Sequence, residues 1–143
     1  MHRSPVHEII DTWRSGVSKL TASFILVMKL TRIYCGLDSI HADKYGNVCM
    51  YNGRRRSCKE LALILAAECF PNGHTVYEAN GRWNGRVGVI DEPTIIVEII
   101  TGESEPERAQ HHKMVQRFAG DYKNYAKQES VLITSQEIDA FFV

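Results

Sequence analysis

The stretch "TIIVEIIT", residues 94–101, decides how this chain folds. Every residue in it except Glu98 is β-branched, and such side chains favour extended backbone. A strand that is apolar on both sides of its pleat is typical of the centre of a sheet. The sequence therefore places this stretch in a central strand. Its one carboxylate, Glu98, needs a basic partner or solvent there, unless it takes part in chemistry.

The segment before this strand predicts its first neighbour. Residues 74–83, "HTVYEANGRW", alternate in the way a strand requires. Residues 84–93, "NGRVGVIDEP", carry turn-forming residues and predict the connection of an antiparallel hairpin.

Two helices follow from capping signals and helical spacing. Ser57 and Glu60 form a capping box at the start of a helix over residues 57–70, which "PNG" then ends. A second helix is predicted at about residues 105–126, with Pro106 in its first turn. Its apolar face comprises Met114, Val115, Phe118, Tyr122 and Tyr125.

The remaining strands complete the order β-α-β-β-α-β. We predict a first strand at residues 29–37 and a last strand at residues 129–136, which residues 137–143 extend or follow as a tail. A short ribbon at residues 47–51 fits the long connection after the first strand. This order predicts an α+β, ferredoxin-like sandwich with a four-stranded antiparallel sheet and two helices. Because sheet faces rich in Ile, Val and Tyr seldom stay exposed, we expect a homo-oligomer.

The N-terminal segment differs from the rest of the chain. We interpret residues 1–27 as an N-terminal arm or a mis-annotated extension, and residues 28–143 as a single domain. Residues 6–13 have the spacing of an amphipathic helix, and a mobile tail is the alternative. The apolar run at residues 22–28 is far shorter than the roughly 20 residues that span a bilayer. A secretory signal is the weaker interpretation, and we expect a cytoplasmic protein.

Charge and motif content exclude several classes of function. Seventeen basic residues balance seventeen acidic ones, so bulk charge does not favour binding of long nucleic acids. The arginines of "GRRRS", residues 53–57, form either a local anion site or a solvated loop. His111 and His112 are adjacent on a helix and cannot easily share a metal, and the sequence predicts no catalytic motif, cofactor or metal. The four cysteines are interpreted as reduced thiols, with a disulfide framework as the alternative.

The hairpin is the best candidate for binding. Arg82, Trp83 and Arg86 offer an aromatic plane and guanidinium groups, which suit a nucleotide. The alternative is a hairpin whose tryptophan packs onto the sheet.

Four segments, "TRIYCGLD", "TVYEANGRWNG", "PTIIVEII" and "QESVLI", resemble the phage Thoeris anti-defence proteins of the first type. A related small bacterial βαββαβ family of unknown function shares the elements "TRxYxGL", "GxW" and "QxSVL". The resemblance to the phage proteins implies a sponge that holds a cyclic ADP-ribose-type signal between protomers without cleaving it. For some members it also implies capture of cyclic oligonucleotides at separate sites. It also implies action in the cytoplasm of an infected bacterial host.

The residues that we expect to bind such a ligand lie on the first strand, the hairpin and the second helix. They are Tyr34, Arg82, Trp83, Arg86, Phe118, Tyr122, Asn124 and Gln128. Two alternatives stay open: a small hydrolase or isomerase that uses Glu98 or His74, and an exported bacterial domain.

Overall fold

The computed structural model describes residues 25–86, 88–102 and 104–143. Four strands form an antiparallel sheet in the order β4-β5-β1-β6, and β2 and β3 form a separate two-stranded ribbon. With two helices, this confirms the predicted α+β fold. The elements are β1 (Leu26–Gly36), β2 (Asn47–Tyr51), β3 (Arg54–Ser57), α1 (Cys58–Cys69), β4 (Thr75–Gly85), β5 (Gly88–Thr101), α2 (Glu105–Tyr125) and β6 (Leu132–Ala140).

The central position of β5 is confirmed, with β4 on one side and β1 on the other. Directly paired residues of antiparallel strands point to the same face of a sheet. Ile33 pairs with Val97, and both are fully buried against the helices. Arg32 pairs with Glu98 and therefore points to the opposite side, which we call the far face.

The core lies between the sheet and the two helices. Leu61 and Leu65 of α1 and Phe118 of α2 are completely buried there. The predicted cap of α1 is confirmed, because the Ser57 hydroxyl accepts the N–H of Glu60 at 3.1 Å.

The hairpin differs from its prediction. β4 reaches Gly85 and β5 begins at Gly88, so most of the predicted connection at residues 84–93 is strand. Proline usually interrupts a sheet, but β1 ends at Gly36, opposite Thr94. Pro93 thus lies just beyond the part of β5 that has a strand on both sides. The last strand is also displaced from its prediction and covers Leu132–Ala140, because it pairs with the whole first part of β1.

The ribbon is longer than predicted, since most of "GRRRS" forms β3. Its turn contains Asn52 and Gly53 with φ of 51° and 75°, as a tight two-residue hairpin turn requires. Arg55 pairs with Asp43 at 3.1 Å, and Arg56 donates to the carbonyl of Tyr51 at 3.0 Å. Two of the three arginines therefore have partners in the ribbon or in the loop before it.

The expectations for an N-terminal arm or a signal sequence fall almost entirely on residues 1–24, outside the described residues. The described part of the chain begins just before β1, whose first residue is Leu26. Neither α1 nor α2 combines the length and the apolar character of a membrane-spanning helix.

Candidate functional site

The far face carries aromatic side chains on either side of small residues. On β1, Tyr34 precedes Gly36, and on β4, Tyr77 lies two residues before Ala79 and four before Gly81. Tyr34 and Tyr77 both pair with Ile96 of β5, so they form one row across the sheet. Beyond that row β1 and β4 carry small residues, and larger side chains of the far face lie over the two glycines.

Trp83 lies next to these small residues, near the hairpin end of β4. A Cβ atom on Gly81 would lie 2.7 Å from the Trp83 Nε1 atom and 2.7 Å from the Thr94 hydroxyl oxygen, so the indole packs directly over the glycine. This geometry agrees with the interpretation in which the tryptophan packs onto the sheet. Its Nε1 atom is buried, and no described residue accepts a hydrogen bond from it. A buried donor of this kind usually has a partner.

Arg82 does not share this surface with Trp83, because adjacent strand residues point to opposite faces. Arg82 instead forms a two-bond pair with Asp91, at 2.7 Å and 3.2 Å. That pair lines an open depression of about 410 Å³ together with Asn80, Gly81, Glu92 and Pro93.

The connection between α2 and β6 meets the same end of the sheet. Gln128 donates from its side-chain amide to the carbonyl of Asp38 at 3.3 Å. Arg86, at the hairpin turn, lies 4.0 Å from the carboxylate of Glu129. Arg86 therefore lies near the connection to which Gln128 belongs.

The three predicted residues of α2 occupy two different environments. Phe118 and Tyr122 are completely buried, and the Tyr122 hydroxyl donates to the carbonyl of Gly36. Burial raises the pKa of Tyr122. These two rings pack in the core on the helix side of the sheet and do not reach the far face. Asn124, in contrast, is exposed on the helix.

Glu92 is an acidic residue that the sequence patterns did not include in the predicted binding set. It lies on β5 opposite Gly81 and points to the far face. Burial raises the pKa of its carboxyl, and a hydrogen bond from the backbone N–H of Asp38 partly offsets that effect. In the sequence Glu92 stands next to Pro93, which indicated a turn and concealed its place on a strand.

A second polar cluster lies on the far face beside Tyr34. The Glu98 carboxylate accepts from Arg32 Nε at 3.2 Å and from the Tyr77 hydroxyl at 3.0 Å, both at the same oxygen. The bond to Glu98 is the main reason that the pKa of Arg32 is raised, and burial raises the pKa of Tyr77. Glu98 thus has the basic partner that the apolar strand requires. His74, the other residue proposed for acid–base work, places its Nδ1 atom 2.9 Å from the carbonyl of Phe70.

The histidine pair is split between two environments. His111 is buried, with its Nε2 atom 3.2 Å from the Thr31 hydroxyl, whereas His112 is exposed. Within the described ranges, no three His, Cys, Asp or Glu side chains are placed to hold a metal ion.

A family model described as "Protein of unknown function (DUF3574)" matches residues 66–142, which is more than half of the chain. No curated protein matches the sequence. Among solved structures, the chain is similar to a phage SAM lyase in the apo state, with a TM-score of 0.51 and 18% identity over 76% of this chain and 79% of the other. A phage SAM lyase in complex with S-methyl-5′-thioadenosine gives a TM-score of 0.51 and 16% identity over 79% of this chain and 88% of the other. At such identities the likeness shows a shared fold. Both neighbours are enzymes, so the expectation of a non-enzymatic protein gains no support from them.

Proposed function

The chain belongs to this family of unknown function, and we propose that it binds a nucleoside-type small molecule on the far face of its sheet. The observation that carries the proposal is the Trp83 indole, which is held over Gly81 and is partly exposed on the far face. A flat heterocyclic base can stack on the exposed part of such a ring. The shared fold adds support, since one similar structure holds S-methyl-5′-thioadenosine, which is an adenine nucleoside.

The surroundings of Trp83 suit the rest of such a ligand. Tyr34 and Tyr77 provide apolar ring surface on the other side of the small residues. Arg86 stands at the hairpin turn with its side chain 90% exposed and only a long contact to Glu129. An exposed ion pair of this kind contributes at most about 1 kcal/mol. Arg86 can therefore exchange Glu129 for an anionic group of a ligand at little cost.

The more specific proposal is sequestration. The ligand would be a cyclic ADP-ribose-type signal or a cyclic oligonucleotide, held uncleaved by a homo-oligomer in the cytoplasm of an infected bacterium. Arg86 would meet its phosphates and Trp83 its adenine. Arg82, Asn124 and Gln128 would act from the surrounding surface or from a neighbouring protomer.

A thermal-shift series tests binding. The compounds are adenosine, S-methyl-5′-thioadenosine, S-adenosylmethionine and the cyclic ADP-ribose isomers. A compound at 100 times its Kd should add roughly 2.7 kcal/mol to the unfolding free energy. Trp83→Leu should remove the shift, and Arg86→Ala should reduce it for phosphate-bearing compounds only. Arg54→Ala, an exposed arginine of the ribbon, is the matched control and should leave the shift unchanged.

The absence of a shift with all these compounds would contradict the binding proposal. Where a compound does bind, mass spectrometry of the ligand released by heat decides the mode of action. Intact ligand supports sequestration, and converted ligand excludes it.

A second candidate function is an enzyme that uses Glu98, and the cluster with Arg32 and Tyr77 favours it. Arg32 and Tyr77 both donate to the same oxygen of Glu98, so the carboxylate is held in one orientation. Its other oxygen has capacity to accept a proton. Glu98→Gln should abolish conversion of S-adenosylmethionine or a related nucleoside while the melting temperature changes little. Conversion that persists at the wild-type rate would exclude this role.

A further inference from the structure

The Glu92 carboxylate lies flat against the backbone of β1 at Gly36. A Cβ atom built on Gly36 would lie 2.3 Å and 2.8 Å from the two carboxylate oxygens and 2.6 Å from the carbon between them. Any other residue at position 36 would displace the carboxylate. Gly36 has no left-handed backbone conformation to explain its identity, so the close approach of Glu92 is what requires a glycine.

The backbone around this contact is held in place from several directions. The N–H of Leu37 donates to the carbonyl of Pro93 at 2.9 Å, and the Tyr122 hydroxyl donates to the carbonyl of Gly36. Gln128 donates to the carbonyl of Asp38 at 3.3 Å. These bonds fix the segment that presents the Asp38 N–H to Glu92, so the carboxylate is oriented before any ligand arrives.

Glu92 retains hydrogen-bonding capacity beyond this one N–H. A carboxylate has two oxygens with about four acceptor positions. The charge that acts on Glu92 is the like charge of Asp38, and within the described residues no lysine or arginine forms an ion pair with it. The neighbouring arginine, Arg82, is paired with Asp91. The group is therefore a partly buried acceptor whose missing partners are neutral donors or a small cation.

We propose that Glu92 accepts hydrogen bonds from the vicinal 2′- and 3′-hydroxyls of a ribose, so that the far face selects ribonucleosides with a free diol. This inference rests on the proposed nucleoside binding. Two adjacent hydroxyls match the two oxygens of one carboxylate, as acidic side chains bind ribose elsewhere. The Trp83 indole lies over Gly81, the residue that pairs with Glu92 across the strands, so a base stacked on the indole would lie beside a ribose at Glu92.

The position of Glu92 also sets the extent of the ligand. Its carboxylate lies at Gly36, four residues along β1 from Arg32, which is about 13 Å at the rise of a strand. A ribose at Glu92 therefore leaves the cluster of Arg32, Tyr77 and Glu98 beyond the nucleoside itself. A 5′ substituent of several atoms would extend toward that cluster.

Calorimetric titration with adenosine and with 2′,3′-dideoxyadenosine tests the inference. The wild-type protein should bind adenosine roughly 10-fold or more tightly than the dideoxy compound, since bonds to a charged acceptor are the stronger ones. Glu92→Gln should bring the affinity for adenosine down to that for the dideoxy compound, and Glu92→Asp, which withdraws the carboxylate by one methylene, should do the same. Glu137→Gln, a matched change on β6, should retain the wild-type preference.

The outcomes separate the two proposals. Equal affinity of the wild type for both compounds, or a preference that survives in both folded Glu92 variants, overturns the role of Glu92 and leaves nucleoside binding intact. Failure of the wild type to bind either compound overturns both for this class of ligand. Circular dichroism and melting curves of each variant show that the comparison is made between folded proteins.

Discussion

His111 lies on α2 with its ring buried against Thr31 of β1. Burial, with a contribution from the charge of Lys29, lowers its pKa to about 4 from an ordinary value of 6.5. The unfolded chain therefore takes up a proton below about pH 6.5, whereas the native state resists protonation until about pH 4. The unfolding free energy must therefore fall as the pH falls from about 6.5 to about 4. Below pH 4, His111 causes no further loss.

We predict a loss on the order of 3 kcal/mol from this group between neutral pH and pH 4, because each pKa unit corresponds to about 1.4 kcal/mol. Urea unfolding at several pH values measures it. His111→Gln should flatten the dependence relative to the wild type. His112→Gln, at the exposed neighbouring position, should keep it. A His111 variant with the full wild-type dependence would exclude this explanation.

Single residues also mark the limit of what the sequence predicts. Glu98 could be singled out from the sequence because it is the one charged residue in a run of β-branched residues, which is a local pattern. The role of Glu92 depends on Gly36, which is 56 positions earlier (92 − 36 = 56). No local pattern joins two such positions, because the strand register that brings them together is a property of the whole sheet.

At the scale of elements, β4 depends on one glycine. The Trp83 indole can pack over Gly81 only because glycine has no side chain. Gly81→Ala should displace the indole and lower the unfolding free energy by about 1 to 3 kcal/mol, the usual range for an overpacked site. In a Trp13→Phe background, the emission of Trp83 should shift to longer wavelength as the ring becomes solvated.

Gly120 in α2 is the matched control for this prediction. A Cβ there meets nothing within 4 Å, and the position is exposed. Gly120→Ala should raise the unfolding free energy by about 0.5 to 1 kcal/mol, because alanine favours a helix interior over glycine. If Gly81→Ala stabilises the protein as Gly120→Ala does, the indole does not need the glycine.

Elements with local signals were predicted well and those set by tertiary pairing were not. The start of α1 is visible in Ser57 and Glu60, because a capping box is a contact between residues three apart. The sequence does not show how far β5 extends, because a proline such as Pro93 interrupts a strand in most settings. The sheet accepts Pro93 here because β1 ends beside Thr94. Similarly, the separation of Arg82 from Trp83 follows only once that stretch is known to be strand.

At the scale of the whole molecule, topology brings three separate segments together at one end of the sheet. These three segments are the end of β1, the β4–β5 hairpin and the connection after α2. The hydrogen bond from Gln128 to Asp38 joins the first to the third. The predicted order of elements implied this meeting, since it is a consequence of the antiparallel fold. The face on which each side chain emerges required the register.

The cohesion of the whole molecule can be measured through its four cysteines, which are all free. Cys35, Cys58 and Cys69 are buried in the core, and burial raises the pKa to about 12 for Cys35 and to about 11 for Cys58. Cys49 is only partly buried, and the charges of Arg56 and Lys127 oppose the rise in its pKa. Because the thiolate is the reactive form, a disulfide reagent should label Cys49 first.

The other three thiols should react only when the core opens, at a rate that follows the unfolding free energy. Gly120→Ala should therefore slow their labelling and leave that of Cys49 unchanged, whereas Gly81→Ala should accelerate it. Ellman's reagent with and without urea, combined with peptide mass mapping, measures both phases. Rapid native labelling of a core cysteine, or fewer than four thiols in urea, would show that the core opens locally or that a disulfide is present.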